Sequence, residues 1–565
     1  MNLWDRALRD EKNRRIKLKH VKRYFLLLAI ICVTGIVLTR PQVRYLAGQA
    51  SESLQSYYVS ARADAVNEKG FTLSCNGTML DIENMRMSSQ MHLMMPLSAV
   101  VNHLRASVTV GENGQCFVQG QCFEDIAIIT NTDDTLADRG PENIWIDMTE
   151  AASALGLVYQ WNDETREASL DAAQSEELPR RYDLRENRVL NTVENQGTFG
   201  TCWAFASTAA LETSQTNGEI LDFSVDHMTM NSGFNIAPTE GGDYNMALAY
   251  LAAWKGPVLA ADDPYGDGIT DTSLGAVRHL QEARMIEEKD LNKIKSMIMR
   301  YGGVESSLYM SIQNAWDSSE DYEPMTASYY YAGNERPNHD IVIVGWDDDY
   351  SRENFNHMPE NDGAFICRNS WGEDFGDAGY FYVSYEDSNL GTSNIVYTRL
   401  DKTDNYRMNY QSDMLGWVGT LGYKEPSAWF ANVYTAGQDE VLRAVSFYAT
   451  GGQTTYDIYA VPEYYGAESL EHPVYLGSGY CEDGGYYTVD IPEIVRLRAG
   501  SQFAVMVRIT TEGSERPIAI EFAASELTSG ADLSDGEGYI SYDGSQWNSA
   551  EAEYGCNLCL KAFTD

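Results

Sequence analysis

Three residues carry most of the chemistry that this chain can be read to perform. Cys202 lies in Asn195-Gln196-Gly197-Thr198-Phe199-Gly200-Thr201-Cys202-Trp203-Ala204-Phe205-Ala206. His339 lies in Asn338-His339-Asp340-Ile341-Val342-Ile343-Val344-Gly345-Trp346, and Asn369 in Arg368-Asn369-Ser370-Trp371-Gly372. Singly, each has an ordinary use: a buried thiol, a structural imidazole, a turn former. Together they supply the nucleophile, the base and the orienting group of covalent acyl transfer.

Such a set works only if separate elements hold it. Cys202 follows turn-forming residues and opens an apolar, helix-prone run from Trp203 to Leu211. That places the thiol at a helix N-terminus, where the macrodipole and unpaired N–H groups favour the thiolate. His339 opens a β-branched run that reads as a buried strand, and Asn369 falls in a turn before Trp371-Gly372. Cys367, within the strand pattern Ala364-Phe365-Ile366, reads as a buried structural thiol rather than a second nucleophile.

From about Leu178 to Leu400 these stretches resemble a papain-like (C1-type) cysteine peptidase. The Cys202–His339 interval of about 137 residues is in the range of such enzymes. Leu178-Pro179-Arg180-Arg181-Tyr182-Asp183-Leu184-Arg185, Gly241-Gly242, Gly256-Pro257-Val258, Pro264-Tyr265 and Gly379-Tyr380-Phe381 complete the pattern. The resemblance implies Cys202 as nucleophile, His339 as general base then acid, and Asn369 as orienter of the imidazole. It implies that Trp371 shields that hydrogen bond, with Trp203 supporting, and that Gln196 and the Cys202 N–H receive the oxyanion. Gly241 and Gly242 would offer a bare strip against which an extended substrate backbone pairs. The residue after the histidine contributes to the wall of the second substrate pocket. Here it is Asp340, either facing that pocket to receive a basic side chain or turned away to a loop or an arginine. No metal or organic cofactor is implied.

One departure is coherent. The family usually places paired cysteines where Phe199 and Thr239 stand, and both are missing together, with Phe199 filling the space apolarly. Elsewhere, Cys75, Cys116 and Cys122 could supply one bridge and Cys556 with Cys559 another, though connectivity cannot be read from spacing.

The chain has 565 residues, too many for one core. Its net charge of −42 excludes nucleic acid as a partner and suits a surface-exposed protein. Residues 1–23 reverse that charge and precede an apolar run, Tyr24 to Thr39, ended by Arg40-Pro41. This reads as an uncleaved signal anchor with a cytoplasmic tail and the bulk of the chain extracellular, secretion after signal cleavage being the alternative. Residues 40–68 read as a stalk. Residues 69–172 show two helix-then-strand echoes, resemble the non-catalytic copper amine oxidase N-terminal-like domain of bacterial surface proteins, and display no His or Cys cluster with ligand spacing. No long charged helical propeptide pattern precedes the peptidase region.

From residue 401 to 565, short alternating strands separated by Gly, Asp and Ser predict an antiparallel β-sandwich that resembles a lectin-like domain. Its tyrosines, with Trp417, Trp429 and Trp547, could stack on cell-surface carbohydrate, core packing being the use of most of them. The fold class expected is therefore α+β: a two-lobe peptidase domain over residues 178–400, preceded by an anchor and a small α+β domain and followed by a β-sandwich. The function expected is a membrane-anchored extracellular cysteine endopeptidase acting on protein or peptide substrates. A cell-wall peptide hydrolase or transpeptidase with the same chemistry, and a surface adhesin that merely keeps the fold, are the competing classes. Selective labelling of Cys202 separates the adhesin from the other two.

Overall fold

The computed structural model describes residues 56, 59–111, 116–123, 127–129, 141–172, 177–214, 219–237, 239–492, 495–534 and 536–565. No helix among them is long and apolar enough to cross a membrane, and Tyr24 to Thr39 lies outside them. Two compact units are formed: residues up to Pro96 with Trp145–Ala173, and Leu97–Ile144 with Gln174–Asp565.

In the first unit, strands Leu157–Asn162 and Glu167–Ala172 form a hairpin, and Thr72–Cys75 adds parallel to the second of them. Leu73, Ala168 and Leu170 close its core by the strand period of two. One polar grouping was invisible in the sequence: His92 Nδ1 bonds Asp147 Oδ2 at 2.6 Å, with Glu150 Oε1 3.9 Å away. Asp147 also caps the short helix after it through Thr149 N, so the grouping is satisfied as a structural one.

The second unit contains the helix and the strands that the chemistry needs. Helix Cys202–Thr213 is apolar all round, and accordingly all but one of its residues are buried. It crosses strand His339–Asp347, which is flanked antiparallel by Val304–Leu308 and Ala364–Arg368. The apolar faces of these elements merge in one core that includes Trp203, Ile341, Ile343 and Phe381.

The sandwich predicted after residue 401 is present. One face is a sheet containing Ser427–Thr435, Gln502–Thr511, Thr454–Val461 and Val474–Cys481. The other is built from Glu440–Ala449, Gly484–Asp490 and Leu560–Thr564, and Phe430, Ile458, Val445 and Phe447 meet between them. This second face continues into the peptidase lobe, because Gly484–Asp490 pairs with His279–Ile286, itself paired with Asn394–Asp401. Gly485 makes the junction: at φ +141 an added Cβ would lie 2.2 Å from Ala283 O, so a side chain there would break the ladder. Lys561 and Asp413, essentially fully buried, pair at 2.7 Å beneath it.

Of the bridges that the sequence left open, the one between Cys556 and Cys559 does not form: both are free thiols, as is Cys75. Cys556 packs into the sandwich core and Cys559 into the peptidase core, so the two point to opposite sides of their strand segment.

Candidate active site

Thr201 makes no side-chain cap to the helix that Cys202 opens, so the first-turn N–H groups keep no side-chain acceptor. Cys202 is buried, with backbone hydrogen bonds from Trp203 and from Asp340 pulling its pKa down. The strand carrying His339 therefore lies against the thiol. Burial and then the charge of Asp340 outweigh those bonds and push the thiol up to about 12. Burial likewise holds the His339 imidazole down to about 4. Burial thus acts against the helix end, disfavouring the charged form of each group taken singly.

The His339 ring is fixed by Asn369. Its Nε2–H donates to Asn369 Oδ1 at 2.7 Å, which leaves Nδ1 as the nitrogen for the thiol proton. Asn369 Oδ1 also accepts from Ser370 N at 2.8 Å, and Asn369 N donates to Gly379 O at 3.0 Å. Trp371 is buried with its ring centroid 4.9 Å from that of His339. Water is thus kept from the imidazole–amide bond.

Gln196 is buried and tied on three sides. Ser370 Oγ donates to Gln196 Oε1 at 2.6 Å, Gln196 Nε2 donates to Phe199 O at 2.8 Å, and Gln196 N donates to Ser370 O at 2.8 Å. One Nε2 hydrogen therefore remains for an oxyanion. Phe199, 41% exposed, packs edge-on against Tyr265, whose hydroxyl donates to Gln196 O at 2.9 Å.

The loop before the thiol and the glycine pair approach through backbone. A Cβ at Gly200 would fall 2.8 Å from Glu240 O, and one at Gly242 2.7 Å from the Trp203 indole nitrogen, whereas Gly241 faces open space. Gly200→Ala is expected to destabilise the fold by about 1–3 kcal/mol and to raise KM for peptides by shifting Gly241. Thermal unfolding and steady-state kinetics check this; an unchanged KM would show that the two loops are uncoupled.

Asp340 is paired with no arginine among the described residues. It is buried, accepts from Ser307 Oγ at 2.5 Å, and is pushed up to about 6, first by burial. Beside it is a residue that the sequence reading missed. Glu305 is fully buried in the neighbouring strand, its Oε2 accepting from Ser207 Oγ at 2.8 Å and its Oε1 with no partner among the described residues. Burial and Asp340 together raise its pKa well above the usual carboxylate range. Only the register, Ser307 opposite Asp340 and Glu305 opposite Val342, brings these acids together. Behind Asn369, Arg368 donates to Thr192 O at 3.0 Å and its charge bears on Glu212, which burial pushes up to about 7. Cys367 is fully buried with its pKa driven well up, as a structural thiol should be.

Residues 178–399 match the papain family cysteine protease model, and residues 409–564 match the lectin like domain model. The chain thus carries a papain-family cysteine peptidase domain followed by a lectin-like domain. Among solved structures it is similar to the clostridial cysteine protease Cwp84 after propeptide cleavage. The two are 25% identical with a TM-score of 0.61, over 68% of this chain and 99% of that one. It is also similar to the cysteine protease and lectin-like domains of Cwp84, described as a surface layer associated protein of Clostridium difficile, at 25% identity and TM-score 0.60. Among curated proteins, ananain of Ananas comosus is 26% identical over 227 residues, and cysteine proteinase 15A of Pisum sativum 26% over 239. The match spans 59% and 62% of the length of those two relatives and 38% and 39% of this chain.

Proposed function

We propose that the chain is an outward-facing cysteine endopeptidase whose acyl-enzyme forms on Cys202. The observation that carries this is the His339 Nε2–Asn369 Oδ1 bond, which fixes the ring with Nδ1 free to take the thiol proton. As a peptide carbonyl enters, His339 accepts that proton and the sulfur attacks. The Gln196 side chain and the Cys202 N–H stabilise the oxyanion, and protonated His339 then releases the amine. Water deprotonated by His339 hydrolyses the thioester. Release of a fluorogenic peptide product, blocked by a thiol alkylator, tests the reading.

On this reading Tyr24 to Thr39 anchors the uncut chain with residues 1–23 inside, and residues 69–172, of the copper amine oxidase N-terminal-like type, join the anchor to the peptidase domain until the activating cut. The surface layer association of Cwp84 supports an outside location. Protease shaving of intact cells should remove a C-terminal epitope; a soluble chain beginning near Ser51 in the medium would show instead that the run is a cleaved signal. Carbohydrate, if bound by the lectin-like domain, falls to an open depression of about 460 Å³ lined by Trp429, Arg508 and the exposed Tyr542. Most other aromatics of that domain are core.

Activation uses the junction around Leu178-Pro179-Arg180-Arg181. The match to Cwp84 after propeptide cleavage takes in 99% of that chain and 68% of this one, which supports removal of about a third of this chain on activation. N-terminal sequencing of the active form should begin between Ser175 and Tyr182. An active form that keeps residues 70–170 covalently attached would overturn this.

A further inference from the structure

Residues 97–123 precede the peptidase domain, yet they belong to the unit that contains the sandwich. Strand Val108–Val110 adds antiparallel to the outer edge of Val474–Cys481, with Thr109 opposite Gly477 and Val108 opposite Ser478. Cys116–Val118 and Gln121–Phe123 continue the sheet outward. The preceding helix, Leu97–Leu104, packs against the same host strand.

The fit is specific. Arg105 pairs with Glu482 at 3.2 Å and lies over the Tyr480 ring at 5.5 Å. Ser107 Oγ is 2.9 Å from Tyr456 OH. One host glycine stands where the guest backbone comes close, a Cβ at Gly477 falling 2.6 Å from Val108 O. Gly479 makes room first for the host's own Tyr456, whose hydroxyl a Cβ would meet at 2.1 Å, and then for Ser107 Oγ at 2.6 Å. Val108 and Val110 are buried. An edge strand left bare is a pairing site for any extended chain, and addition of a guest strand draws affinity from the main chain and selectivity from alternate side chains.

We propose that the edge of Val474–Cys481 is a peptide-binding site of the lectin-like domain, and that the chain's own Arg105–Val110 segment occupies it until the activating cut. The site takes an extended peptide with a cation facing Glu482, a hydroxyl facing Tyr456, and main chain against Gly477. The inference rests on cleavage at the 175–182 junction. After that cut the guest is no longer tethered, so its local concentration falls and a peptide of the same pattern can replace it.

The test uses the full chain as Cys202→Ala, with a recognition sequence for a site-specific protease placed between Ala172 and Glu177. The probe is a fluorescent peptide spanning His103–Gly111, followed by anisotropy and size exclusion. Uncut chain should not bind it. After the cut, the peptide should either bind the vacated edge or displace a retained N-terminal fragment when in excess. Val108→Pro within the peptide, which removes the main-chain donor opposite Ser478 without touching the protein, should weaken binding by about tenfold or more. Gly477→Val in the chain should do the same. Equal binding to cut and uncut chain, indifference to the proline, or neither binding nor displacement would overturn the proposal. Activity of the Cys202 chain before and after the same cut is a separate readout: no change there removes the activation reading and leaves the strand site to stand or fall on the peptide.

Discussion

Cys202→Ala is expected to reduce peptide hydrolysis by about 10⁴-fold or more while leaving thermal unfolding unchanged. The size follows from the chemistry. The other buried thiol near the site, Cys367, lies on a strand with its pKa driven up, and the Ser370 hydroxyl beside Gln196 is engaged as a donor to Gln196 Oε1. His339→Ala should be nearly as severe, because burial pushes the thiol up to about 12 and the variant loses the base that takes its proton. Asn369→Ala should cost less, about 10–100-fold, since it frees the ring orientation without removing a reacting group. Residual turnover in Cys202→Ala above the uncatalysed rate would refute the nucleophile assignment.

The second large effect concerns selectivity. Asp340 and Glu305 are buried beside the thiol with no ion pair among the described residues, and Asp243 adds like charge to both. A substrate Lys or Arg at the second position before the cut would supply the missing cation and relieve that cost. Asp340→Ala should therefore move the ratio of kcat/KM for a basic over an apolar residue there by about 30-fold or more, toward Leu, Val or Phe. Reaction of Cys202 with a small alkylator should change little. The sign with pH follows from the carboxyl held up to about 6: below that pH Asp340 keeps its proton and the basic preference fades, and above it the preference grows. Taking the ratio of two substrates removes the pH dependence of the catalytic pair itself. A library profile of the unmutated enzyme that favours Leu, Val or Phe contradicts the acid-pocket account.

The residues that could be read from sequence are those whose chemistry is local. Cys202 before an apolar helix, His339 at the head of a β-branched run and Asn369 in a turn each announce their place within a dozen residues. Glu305 does not: in Gly303-Val304-Glu305-Ser306-Ser307 it is one polar residue in a short strand, and only pairing with His339–Asp347 places it beside Asp340. The burial that opposes the Cys202 thiolate was illegible for the same reason, since burial is a property of the assembled core while a helix end is a property of the segment. The cysteines followed suit, Cys556 and Cys559 being three residues apart yet in different cores. Pairing of Val108–Val110 with Val474–Cys481 joins segments far apart in the chain, with no local signal in either.

The central claim is that Cys202 is a nucleophile activated by His339. The direct measurement is treatment of the cut, active chain with a thiol-directed epoxide at near-neutral pH, with mapping of the modified residue by peptide mass analysis. The account predicts one label per chain, on Cys202 alone, with Cys367, Cys481, Cys556 and Cys559 unmodified, hydrolysis lost in step and labelling slowed strongly in His339→Ala. Label spread over several thiols, or hydrolysis that persists after Cys202 is fully modified, would contradict it.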